Sequence, residues 1–128
     1  MPKYDSENFD PPAPVAYVSL RDPVTGATLS NVPMLIDTGA DVTLLPCSYV
    51  EQLGLKPTPD VSYEIQGFDG EPKQTQMVEL DLVFLGKKFS GQFLLMDRLI
   101  GILGRNILNL LSITYDGPRG KWDEHKRS

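Results

Sequence analysis

Apolar and polar positions change over at short range along this chain, and the pattern predicts many brief strands. Val78, Leu80, Leu82 and Phe84 alternate with Met77, Glu79, Asp81 and Val83, the period-two signature of a half-buried strand. Val15 to Leu20, Val32 to Ile36 and Phe89 to Met96 read as further strands, with turn chemistry at Arg21-Asp22-Pro23-Val24-Thr25-Gly26 and at Lys87-Lys88. Tyr63 to Gln66 and Lys73 to Gln76 flank Gly67-Phe68-Asp69-Gly70-Glu71-Pro72, which predicts a hairpin. Pro46 to Leu55 reads as a short helix, because proline suits the first turn and Gly54 the position just beyond the end. Arg105 to Leu111 is a second short helix, and Ser112 to Tyr115 a last strand. Many short strands with two short helices predict a mainly β domain built as a small, partly closed barrel.

The flanks differ from this middle. Met1 to Pro14 holds four prolines and no periodic apolar pattern, so residues 1–14 are expected to form an extended arm, ordered against a partner. Residues 15–116 are the expected folded domain. Residues 117–128 are rich in glycine and charge and are expected to be a mobile tail that Trp122 pins locally. A chain of 128 residues falls in the common range for one hydrophobic core.

Composition narrows the chemistry. A formal net charge of -5 and a pI near 4.7 work against binding nucleic acid or an anionic membrane, where clustered Lys and Arg are needed. Cys47 is the only cysteine, which excludes an internal disulfide and suits a reducing compartment. No stretch approaches the ~20 apolar residues of a membrane span, and the start carries no apolar targeting segment. The expectation is a soluble cytoplasmic protein. His125, the only histidine, lies in the charged tail, so neither a His-centred triad nor a multi-histidine metal site is expected, and no phosphate-binding glycine loop is present. No metal and no cofactor are expected.

One acid stands out. Leu35-Ile36-Asp37-Thr38-Gly39-Ala40-Asp41 is an apolar strand running into a carboxylate and a glycine turn. The strand fixes the Asp37 side chain, while Gly39 lets backbone amides approach it. Taken alone, Asp-Thr-Gly is equally a turn. A second element, Ile102-Leu103-Gly104-Arg105-Asn106-Ile107-Leu108, follows in the order and at the separation that mark one group of enzymes. With both motifs in place, the chain resembles the single-domain aspartic proteases of the retropepsin family over Val15 to Tyr115.

That resemblance implies a retropepsin-like acid-protease barrel with one short C-terminal helix, joined here by the additional helix at Pro46 to Leu55. It also implies a symmetric homodimer, because the motif occurs once and acid proteolysis uses two facing carboxylates. Asp37 would be catalytic, Thr38 would bridge the two active-site loops, Gly39 would offer a carbonyl to substrate, and Ala40 would keep the adjacent wall small. Asp41 and Arg105 would form a structural ion pair. Ile65-Gln66-Gly67-Phe68-Asp69-Gly70 resembles the flap, with an ordinary surface hairpin as the competing reading. Leu99, Ile100 and Ile102 resemble a subsite wall that takes apolar side chains of an extended polypeptide substrate, with simple core packing as the alternative. The resemblance places the chain termini in an interchain sheet, with Ser112 to Tyr115 as interface strand and residues before Val15 as a supplement. The functional expectation is an aspartic endopeptidase. Its rival is a catalytically silent dimeric peptide-binding or assembly domain with a protease-like cleft.

Overall fold

A computed structural model of the chain describes residues 1–58, 62–66 and 72–126, with backbone only for 62–66 and 72–75. Its centre is a six-stranded closed barrel. Strands β2 (Ala13–Arg21) and β3 (Thr28–Ile36) form an antiparallel pair, joined by a turn in which Asp22 accepts the backbone N–H groups of Val24 and Thr25 and Gly26 takes φ 80°. Beyond β3 the order runs through β8 (Gly101–Leu103), β4 (Leu44–Pro46), β7 (Lys87–Met96) and β6 (Pro72–Phe84). β6 then pairs back onto β2 at Ser19↔Val83, Leu20↔Leu82 and Arg21↔Asp81, which closes the ring. β5 (Ser62–Gln66) extends the sheet as the expected hairpin partner of β6, with Tyr63 opposite Thr75. Residues 67–71, where the sequence predicts the hairpin turn, lie outside the described residues. Two short helices, α1 (Cys47–Gln52) and α2 (Arg105–Leu108), complete the mainly β, retropepsin-like barrel.

Alternation decides what lies inside. Ala16, Val18 and Leu20 of β2, Val32, Met34 and Ile36 of β3, and Val78, Leu80, Leu82 and Phe84 of β6 all point into one core. On the opposite face of β6, Asp81 is nevertheless buried, because the strand is flanked on both sides. Its carboxylate accepts the Ser90 hydroxyl at 2.6 Å and a guanidinium N–H of Arg21 at 3.3 Å, so the charge is not left unpaired across the β2–β6 seam. Among the described residues no helix is long and apolar enough to cross a membrane.

Both flanks depart from expectation. The arm is ordered against its own chain: β1 (Tyr4–Asp5) pairs with β2 at Tyr4↔Pro14 and Asp5↔Ala13. The Asp5 carboxylate holds the following turn by accepting the Asn8 side-chain amide and the backbone N–H groups of Glu7 and Asn8. These bonds, that of the Asn8 side chain foremost, pull its carboxyl below the usual range. The expected tail is a second strand, β10 (Lys121–Glu124), antiparallel to β9 (Ile113–Asp116). Trp122 explains the order. It is 3% exposed, its ring lies 6.0 Å from that of Phe84, and its indole N–H donates to the Val15 carbonyl at 3.2 Å. Arm and hairpin then clasp each other, Tyr4 N–H to Gly120 O at 2.7 Å and Trp122 N–H to Pro2 O at 3.0 Å.

Since Trp122 fills core volume and satisfies a barrel carbonyl, Trp122→Ala is expected to destabilise the protein by about 3–5 kcal/mol in urea unfolding followed by circular dichroism. A loss below about 1 kcal/mol contradicts a core role for this residue.

Candidate active site

The site is built where β3 runs out. Ile36 is buried and lies parallel to Leu103 of β8, and the Asp37 N–H donates to the Leu103 carbonyl at 3.1 Å. The chain then turns. The Ala40 N–H donates to the Asp37 carbonyl at 3.2 Å, and the Gly39 N–H to Asp37 Oδ1 at 2.9 Å. A Cβ at Gly39 would sit 3.1 Å from that same oxygen, so glycine is what permits the approach. The outcome is a half-buried carboxylate on a hydrogen-bonded turn, with Thr38 and Gly39 exposed beside it.

The second element is threaded against this turn from behind. Arg105 N–H donates to the Ala40 carbonyl at 2.8 Å, and its guanidinium to the Thr38 carbonyl at 2.7 Å. Thr43, 1% exposed, donates its hydroxyl to Asn106 Oδ1 at 2.7 Å and accepts the Gly104 N–H at 3.1 Å. Any Cβ at Gly104 would collide with the Val42 carbonyl, and one at Gly101 would lie 2.6 Å from the Leu44 oxygen and from Met34 Sδ. Both glycines are therefore demanded by close backbone approach rather than by turn geometry.

The expected Asp41–Arg105 ion pair is replaced by another contact. Asp41 is exposed and no ion pair joins it to Arg105 within 4.0 Å among the described residues. The guanidinium instead reaches a carbonyl of the turn itself, where a planar donor satisfies an acceptor without ordering a solvated carboxylate. Leu99 is 75% exposed and Ile100 and Ile102 are half-buried, so none of the three belongs to the buried core. In β8 the buried Gly101 and Leu103 bracket Ile102, which consequently faces away from the interior. Of the flap candidate, Gly67, Phe68, Asp69 and Gly70 lie outside the described residues, and Ile65 and Gln66 are described by backbone alone, as the end of β5.

Thr43 and Asn106 were not singled out by the sequence reading, although a signal existed. Thr43 is the one polar residue in Val42-Thr43-Leu44-Leu45, and Asn106 follows Arg105 at the start of a helix whose next two residues are buried. Among the described residues no three His, Cys, Asp or Glu side chains group as metal ligands.

A closed barrel thus carries one Asp37-Thr38-Gly39 turn, backed by the glycine-arginine start of α2. The protein-family model described as aspartyl protease matches residues 24–108, and the chain belongs to that family. Its architecture is the retropepsin-like single domain. Among solved structures it is similar to EIAV protease complexed with an inhibitor, at 24% identity and a TM-score of 0.59, covering 84% of this chain and 92% of that one. It also matches a retropepsin-like aspartic protease from Rickettsia conorii, at 22% identity and a TM-score of 0.48, with 91% of each chain covered. At these identities the EIAV likeness speaks for the fold.

The Thr43 hydroxyl is the pin between turn and helix. Thr43→Val is expected to cost about 1–3 kcal/mol in denaturant unfolding, since it strands the buried Gly104 N–H, while Thr43→Ser retains most of the stability. Equal stability of the valine and serine variants contradicts the pin.

Proposed function

We propose that two copies of this chain form one aspartic endopeptidase, with Asp37 of each copy supplying half of the catalytic pair. The observation that carries this reading is the solitary Asp37-Thr38-Gly39 turn, held as a half-buried carboxylate in an aspartyl-protease fold. Thr38 supports it: the residue is exposed and its hydroxyl has no partner among the described residues, leaving it free to bridge to the facing turn.

Two carboxylates brought within a few ångströms cannot both ionise, so they share one proton and titrate as a pair. The ionised Asp37 takes a proton from a bound water as the oxygen attacks the peptide carbonyl. The protonated Asp37 of the other copy donates to the carbonyl oxygen, giving a neutral gem-diol. Collapse of that intermediate returns a proton to the leaving amine and needs no acyl-enzyme. Leu99, Ile100 and Ile102 line the cleft and favour apolar substrate side chains, and Ile65 and Gln66 at the end of β5 are the described part of the flap. The substrate is an extended polypeptide.

Asp37→Asn is expected to lower cleavage of a peptide library by roughly 10²–10⁴-fold or more, with an unchanged circular dichroism spectrum. Equal cleavage by the purified variant removes Asp37 from the mechanism. Saturable peptide binding without product from acidic to neutral pH favours the silent binding domain instead.

A further inference from the structure

Strand β2 is the seam of the barrel, and its outer edge changes partner along its length. β1 covers the start, at Ala13 and Pro14, and β6 covers the end, from Ser19 onward. The stretch between them is open. The arm leaves β2 beyond Tyr4, because Lys3 bridges to Lys121 instead. β6 leaves because Leu85, next in register for Tyr17, takes φ 52° to enter the turn into β7.

Tyr17 is the residue this gap uncovers. Its partner on β3 is Pro33, which has no N–H, so the two do not form a hydrogen-bonded pair and the Tyr17 N–H and C=O face the outer edge. Val15 and Ser19 share that phase: the Val15 carbonyl accepts the Trp122 indole N–H, and Ser19 meets Val83. Among the described residues nothing bonds the outward N–H or C=O of Tyr17. Natural free edges carry Lys or Pro as guards, and Val15-Ala16-Tyr17-Val18 has neither. A groove of about 440 Å³ opens there, walled by the arm at Lys3, Tyr4, Asp5 and Glu7 and reaching Val15 and Tyr17, the latter 63% exposed. On its rim Asp5 and Glu7 outnumber Lys3. Asp5 is committed to the Asn8 turn, which leaves Glu7, exposed and with no bond to its side chain among the described residues, as the free carboxylate.

We propose that this groove docks an extended polypeptide segment carrying a basic side chain, at a site separate from the Asp37 turn. The segment adds a short strand to the outer edge of β2: the C=O and N–H of one of its residues answer the N–H and C=O of Tyr17 as a single hydrogen-bonded pair. A donor and an acceptor offered together by one residue are what a peptide backbone matches, which is why the occupant is a polypeptide. A Lys or Arg next to that residue lies over the Tyr17 ring, with Glu7 as its counter-charge. The same sign holds for the whole chain, whose net charge is -5. Continuing the β2–β3 register brings Ala13 level with Asp37, so Val15 and Tyr17 lie about 7–13 Å along the strand from that level. A polypeptide held in the groove therefore stays close to the Asp37 turn. That last consequence rests on the proteolytic reading, whereas the docking itself does not.

The probe is a blocked peptide of alternating Thr and Lys, with a Thr and Glu peptide as its control, titrated into the full-length Asp37→Asn chain so that no cleavage intervenes. Amide hydrogen exchange followed by NMR reads the site. In the chain alone the Tyr17 N–H is expected to exchange freely while those of Ala16 and Val18, bonded to β3, are protected. Saturating Lys peptide is expected to slow exchange at Tyr17 by about tenfold or more, and the Glu peptide to leave it unchanged. Glu7→Lys is expected to weaken binding of the Lys peptide about fivefold while Tyr17 in the chain alone still exchanges freely. Lys peptide that binds without protecting Tyr17, or that does not bind at millimolar concentration, overturns the proposal, as do equal affinities for the two peptides. A Tyr17 N–H that becomes protected as the chain alone is concentrated gives the edge to a second copy and overturns it too. None of these failures touches the assignment of Asp37, which the cleavage comparison of wild type with Asp37→Asn decides separately.

Discussion

The structure turns on the close approach of the Asp37 loop to the start of α2. Two chain segments more than sixty positions apart meet there without any side chain at Gly104, and the contact is closed by hydrogen bonds from both directions. The Leu103 carbonyl accepts the Asp37 N–H, Arg105 donates to the Thr38 and Ala40 carbonyls, and Thr43 joins Gly104 to Asn106. Regular pairing between β3 and β8 ends at Ile36 and Leu103, so beyond that point the geometry is set by these bonds and by the close packing at Gly104. They are also what a catalytic carboxylate requires: a backbone that does not move when a charge beside it is neutralised or a substrate arrives. The barrel strands β3 and β8 bring the two segments together, and the rest of the core holds those strands.

The molecule's second organising feature is the clasp at its termini. Trp122 closes the bottom of the core, satisfies the Val15 carbonyl and holds β10 against the arm. That arrangement uses up edges that would otherwise invite pairing.

Much of this was legible in the sequence. The β6 alternation, the Asp37 turn and its distant glycine-arginine element each have a local pattern with a physical reason, and all three stand in the structure as expected. What could not be read is non-local. β4 is three residues long and pairs with β7 in parallel and with β8 in antiparallel fashion, so no periodicity marks it. Residues 117–128 look like a tail because charge surrounds one aromatic; only the pocket formed by Val15 and Phe84 reveals that Trp122 is a core residue. Asp41 resembled an ion-pair partner by position, but Arg105 bonds the Thr38 carbonyl and Asp41 stays exposed, an outcome that spacing does not encode.

The central claim is that each copy holds half of one active site, and subunit mixing tests it most directly. Wild-type chain would be allowed to exchange with an equal amount of Asp37→Asn chain at a concentration where dimers prevail, and peptide cleavage compared with the same wild-type amount alone. Random pairing leaves about one quarter of the dimers with two intact carboxylates, so cleavage falls to about half. Unchanged cleavage after complete exchange would show that one chain carries a whole site, and would contradict the account.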